Sequence, residues 1–133
     1  MNRIDEKLAK LKSENKKALI TYVSCGDGGY ETTENAVLKM LENGADIIEL
    51  GVPFSDPIAE GPVIQAASER ALSAGTTLKG IFEMVRRLRK KTDAPLIMMM
   101  YINSIFRFGK KKFFSLCAET GIDGVIVPDM PFE

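Results

Sequence analysis

A parallel α/β fold is what this sequence predicts, and three observations predict it. Strand-like apolar runs alternate with stretches of helical periodicity along the whole chain. The runs are near-continuous in apolar residues, as expected of strands covered on both faces. Two segments, NGADIIELGVP and TGIDGVIVPDMP, also follow one plan. Each leaves a helix at a glycine, passes an aspartate, runs through an apolar strand and exits into a loop containing proline.

The elements follow in order. Ile4, Leu8 and Leu11 mark one face of a leading helix, and ALITYVS (18–24) reads as a buried strand rich in β-branched and aromatic residues. After CGDGGY, Val37, Met40 and Leu41 form the apolar stripe of a helix that stops at Gly44, a residue suited to the position after a helix end. DIIEL (46–50) is a second strand. Pro62 suits the first position of a third helix ending near Gly75, and Leu78, Ile81, Phe82, Val85 and Leu88 keep helical spacing after it. APLIMMMY (94–101) is a third strand, with Tyr101 and Asn103 closing it. Phe113, Leu116 and Cys117 mark another helix, and GVIVPD (124–129) is a fourth strand closed by Asp129.

Such units build either an open doubly wound sheet or a closed barrel. GDGG follows the first strand without the GxGxxG spacing of a dinucleotide fold, which weakens the open-sheet reading. A barrel of eight units needs about 250 residues. The expectation is therefore a parallel (β/α)8 TIM barrel, with residues 1–133 covering about its first four strands as the N-terminal half of a single domain.

Composition narrows the function. Zero formal net charge, with Lys and Arg mixed among acids, gives no footprint for nucleic acid or an anionic membrane. No apolar run has the length of a membrane span, and the charged, amphipathic N-terminus has no apolar core like that of a secretory signal. Cys25 and Cys117 are too few and too scattered for a disulfide framework or a zinc site, so a reduced, cytoplasmic setting and no metal are expected. The chain has no His. Nucleophile systems that rely on His are removed, and proton transfers fall to carboxylates, Lys or Tyr.

Barrel active sites lie at the C-terminal ends of the strands. Asp27, Glu49, Asp56, Glu60, Tyr101, Asn103 and Asp129 fall there. Alternation puts Glu49 on the opposite face from Ile48 and Leu50, toward a barrel interior, where a carboxyl suits proton transfer. A solvated strand-end glutamate in a salt bridge is the alternative. GDGG either cradles phosphate or makes a tight turn, and Lys110–Lys112 reads as a solvated helix start. Cys25 lacks a basic neighbour in sequence and reads as packing rather than as a nucleophile.

The segment ELGVPFSDPIAEGPVIQ (49–65) closely resembles the signature of the tryptophan synthase alpha chain family. The likeness extends to TYVSCGD, MMYIN and GIDGVIVPDMPFE, and so over essentially the whole chain. It implies a lyase that splits indole-3-glycerol phosphate to indole and glyceraldehyde 3-phosphate by a retro-aldol reaction in tryptophan biosynthesis, with no cofactor. By the match, Glu49 is the general acid/base. Glu60 takes the place of the family's second carboxylate, normally Asp, which hydrogen-bonds the indole N–H. Tyr22, Met99 and Tyr101 fall where the family lines its indole pocket, with barrel core as the alternative. Asp56 falls in the loop that closes over substrate and contacts the beta chain of an alpha2-beta2 heterotetramer, with a turn-stabilising Asp before Pro57 as the alternative. The residues that hold phosphate are expected beyond Glu133. Two other readings stand beside this one: another phosphate-handling barrel, and a catalytically silent half-barrel fragment that only folds with or binds a partner chain.

Overall fold

The computed structural model describes residues 1–56 and 59–133; Pro57 and Ile58 lie outside them. The elements are α1 (Arg3–Ser13), β1 (Ile20–Ser24), α2 (Tyr30–Glu42), β2 (Ile47–Gly51), α3 (Pro62–Ser73), α4 (Leu78–Arg89), β3 (Leu96–Met99), α5 (Ile102–Phe108), α6 (Lys110–Thr120) and β4 (Gly124–Ile126). The strands form one parallel sheet in the order β1-β2-β3-β4. Sequential order without reversal is the wall of a barrel, whereas a doubly wound sheet turns back on itself.

Register separates the two faces. Tyr22 pairs with Glu49, Glu49 with Ile97, and Met99 with Ile126. Val23, Leu50 and Met98 alternate to the other side, where Ile48, Leu50, Val52, Leu96, Met98 and Met100 join the core beneath the helices. That core is deepest under α4, whose Ile81, Phe82, Met84, Val85 and Leu88 are all buried. Each such side chain contributes about 1.5–3 kcal/mol by burial. Phe82 packs tilted against Phe108 and Phe113, at 5.9 and 5.8 Å between ring centres. The opposite face is open at its two edges, where Ile20 and Ile126 are 47% and 37% exposed, while Ile47 between them is buried and Ile4 of α1 approaches Gly124.

The two similar segments turn out to share a device. Asp46, ahead of β2, accepts the Leu19 N–H on its carboxylate at 2.9 Å and donates its own N–H to the Leu19 carbonyl at 2.8 Å. Asp123, ahead of β4, does the same with Leu96, at 2.9 Å for both bonds. Each aspartate thus ties the start of its strand to the start of the preceding one, which fixes register where the ladder begins.

Three expectations need correction. The third strand ends at Met99, so Tyr101 and Asn103 do not close it: Tyr101 precedes α5 and Asn103 lies within it. The cause is tertiary, because the Asp129 carboxylate accepts the Ile102 N–H at 2.8 Å and starts α5 where no local side chain caps it. The fourth strand is only Gly124–Ile126, so Asp129 follows it at a distance. Finally, Leu8 does not share the buried face of α1 with Leu11; it is 43% exposed. The structured start of α1 comes instead from a capping box between Asn2 and Asp5. No helix among the described residues is long and apolar enough to cross a membrane.

Candidate active site

The open face of the sheet gathers the residues that the sequence singled out. β1 supplies Tyr22 and Ser24, β2 supplies Glu49 and Gly51, and β3 supplies Met99, all on one side by register. Each is half-buried except Gly51, which is buried. Gly51 has a specific reason to be glycine. The Tyr22 ring lies across it, and a Cβ at position 51 would overlap the phenol. Tyr22 therefore leans along the face toward the strand ends. Met99 belongs to this open face and not to the core, which takes Met98 and Met100.

Glu60 lies in the loop between β2 and α3. Its Oε2 atom is buried and has no hydrogen-bond partner, a condition otherwise found among the described residues only at Thr21 Oγ1. Burial pushes the Glu60 carboxyl above its ordinary range. A buried, unpaired acceptor oxygen is an unsatisfied hydrogen-bonding site, the arrangement expected of a group that waits for a donor. Burial also pushes the Tyr22 phenol up; the Ser24 hydroxyl opposes that shift and the Glu60 charge adds to it. Tyr22 and Glu60 therefore sense each other electrostatically across the site.

Tyr101 holds the loop between β2 and Glu60. It is buried, its ring packs against Phe54 at 5.1 Å, and its hydroxyl accepts the Ala59 N–H at 3.0 Å. A further bond, from the Gln65 amide to the Glu60 carbonyl at 2.9 Å, anchors Glu60 to the first turns of α3. Asp56 is exposed in the same loop, with the Ser55 hydroxyl donating to its carboxylate at 3.3 Å. Its expected partner residue, Pro57, lies outside the described residues.

The remaining candidates separate cleanly. Asp27 is engaged by Arg70 through two bonds of 2.8 Å. The GDGG loop closes as a turn, with the Gly29 N–H donating to the Gly26 carbonyl at 2.9 Å. Cys25 is fully buried and burial pushes its thiol up to about 12, which leaves no thiolate to act as a nucleophile. Cys117 is likewise pushed up, to about 11. No group of His, Cys, Asp or Glu among the described residues is placed to hold a metal ion. Sequence reasoning did not single out Ser24, Gly51, Gln65 or Phe54. Gly51 alone carried a local signal, a glycine inside a strand pattern.

Comparison with known proteins points to one family. A family model described as "Tryptophan synthase alpha chain" matches residues 8–133. Over its full length the chain is 54% identical to the tryptophan synthase alpha chain of Alkaliphilus metalliredigens, covering 50% of that protein. It is 50% identical to the alpha chain of Caldanaerobacter subterraneus, covering 51%. Among solved structures, tryptophan synthase subunit alpha from Legionella pneumophila superposes with a TM-score of 0.96 at 45% identity, over 98% of this chain and 50% of that one. A chain of the tryptophan synthase complex from Pyrococcus furiosus superposes with a TM-score of 0.81 at 40% identity, over 86% of this chain and 47% of the other. The chain thus spans about half the length of the curated relatives it matches.

Proposed function

The chain belongs to the tryptophan synthase alpha chain family, and on that premise we propose that residues 1–133 form the first half of one barrel domain that cleaves indole-3-glycerol phosphate to indole and glyceraldehyde 3-phosphate. The observation that carries this reading is the unpaired buried oxygen of Glu60, whose charge acts on Tyr22, the register partner of Glu49 on the open sheet face. Cleavage needs a proton delivered to the ring carbon that bears the glycerol chain and a proton removed from the adjacent glycerol hydroxyl. The carbon–carbon bond then breaks as the hydroxyl becomes the aldehyde, and its electron pair returns to the ring. Glu49 performs both transfers, as acid and then as base. Glu60 accepts the ring N–H and stabilises the positive charge that develops on the protonated ring. Tyr22, Met99 and Tyr101 line the indole pocket.

Glu60 is testable by size. In a full-length chain carrying residues 1–133, Glu60→Asp, the residue normal in the family, will match or exceed the parent in indole formation. Glu60→Ala will fall well below both, by roughly tenfold or more, because a buried donor loses its charged acceptor. Equal rates in all three would make Glu60 a bystander. Stabilising the positive charge on the protonated ring requires ionised Glu60, and burial raises its carboxyl above the ordinary range. Activity will therefore be lost on acidification at a higher pH than an ordinary glutamate would set.

A second reading is favoured by one observation. Ile20 and Ile126 are exposed on the face that a barrel would enclose, and β1 and β4 each pair on one side only. Barrels of this class place phosphate on loops after the seventh and eighth strands. Residues 1–133 made alone will then show negligible affinity for indole-3-glycerol phosphate, no lyase activity and self-association. A calorimetric titration checks this; tight stoichiometric binding to a monomer would overturn it. The beta chain is the proposed partner, through the loop bearing Asp56, in an assembly like the a2b2 complex described for Pyrococcus furiosus. Association with a beta chain, measured apart from indole formation, separates a silent binding fragment from a lyase. Both cysteines are free and buried, which suits a cytoplasmic setting.

A further inference from the structure

The GDGG loop after β1 is a motif that the reaction leaves unused. Helix α3 begins directly after Glu60 and Gly61, and its Gln65 amide holds the Glu60 carbonyl. Its apolar anchorage is weak: the buried residues of α3 are Ala67, Ser68 and Ala71, where α4 buries five large side chains. Small residues let a helix approach a sheet closely but contribute little burial. Two contacts from the loop supply what is missing. Gly26, at φ +84°, sits so close to Thr76, just past α3, that a Cβ would overlap the threonine side chain. Asp27 accepts Nε and Nη2 of Arg70, both at 2.8 Å, in the two-pronged geometry that fixes direction as well as distance. The loop is itself tied down, since the Gly26 N–H donates to Thr33 Oγ1 of α2 at 2.9 Å.

We propose that Asp27 and Arg70 are positioning residues for Glu60: the loop after β1 seats the far end of α3, and α3 sets where the Glu60 carboxyl stands relative to Glu49. The proposal rests on the reading of Glu60 as acceptor of the ring N–H. Ten residues at about 1.5 Å each give α3 a lever of roughly 15 Å, on which a tilt of about 5° moves the first turn by about 1 Å. A displacement of that size costs up to about a hundredfold in rate. The pair is also exposed, 60% at Arg70 and 29% at Asp27, so its weight in global stability is small. Effects on rate and on stability therefore part company here.

Arg70→Met, made in a full-length chain carrying residues 1–133, is expected to lower kcat by roughly ten- to a hundredfold while KM stays within about twofold and Tm within about 5 °C. Arg70→Lys, which keeps charge but not the fork, will fall between. In the Glu60→Ala background, Arg70→Met will have no further effect on kcat, because the group it positions is gone. Backbone amides of residues 65–68, the first that the helix protects, will also exchange hydrogen faster in Arg70→Met, a readout independent of turnover. Equal loss of kcat in both backgrounds, or unchanged kcat with unchanged exchange, would overturn the proposal alone. Glu60→Ala with parental kcat would overturn it together with the reading of Glu60.

Discussion

Glu49→Gln will leave the protein folded and able to bind substrate while turnover falls by roughly a thousandfold or more. Glu49 lies between Tyr22 and Ile97 in the sheet register, on the face opposite Ile48 and Leu50, which are fully buried beneath the helices. Gln fills the same space and keeps a hydrogen-bonding end, so packing, Tyr22 and the Gly51 seat are undisturbed. It cannot give up or take a proton at neutral pH, so both transfers fail together. Single-turnover indole formation, with substrate affinity and Tm measured on the same preparation, separates loss of chemistry from loss of fold. Near-parental turnover in a folded variant would remove Glu49 from the mechanism.

The largest effect on stability is expected at Asp123. Its carboxylate, with the side chain 4% exposed, accepts Arg89 at 2.7 Å, the Leu96 N–H at 2.9 Å and Arg3 at 3.1 Å. Arg89, 11% exposed, spends its remaining donors on the carbonyls of Gly121 and Ala94, both at 2.6 Å, and of Thr92 at 3.3 Å. Burial pushes the Arg89 guanidinium below its ordinary range, and Asp123 opposes that shift. Asp123→Ala removes the only counter-charge that Arg89 touches among the described residues and leaves the Leu96 N–H without its side-chain acceptor. Breaking a buried pair from one side costs about 3–5 kcal/mol. Asp46→Ala removes the equivalent tie at the other strand start, but from a site with no buried cation, and should cost about 1 kcal/mol. Urea unfolding of the full-length variants checks the contrast. Equal losses at the two positions would show that the buried arginine is not what makes Asp123 important.

The faces of the sheet were legible in the sequence because alternation is a local property: Glu49 between Ile48 and Leu50 could point only away from the core. The shared plan of NGADIIEL and TGIDGVIV was legible too, aspartates included. What those aspartates do was not, since their partners, Leu19 and Leu96, lie 27 residues away in each case. Short-range signals misled at the end of β3. A run of methionines followed by Tyr101 reads as more strand, and the cap that turns it into α5 comes from Asp129 on another strand's loop. Ile102, Ile105 and Phe108 did carry a helical spacing that could have disclosed α5. The unpaired Glu60 oxygen and the Arg70 fork are products of packing, with no imprint on neighbouring residues.

The most direct test is indole release itself. Residues 1–133 would be joined to the second half of a relative's alpha chain, and indole and glyceraldehyde 3-phosphate followed together from indole-3-glycerol phosphate. The two products are expected in equal amounts from the parent, and none above background from the Glu49→Gln control. A folded chain that binds substrate yet releases no indole, or that releases it equally well from the control, would contradict that expectation.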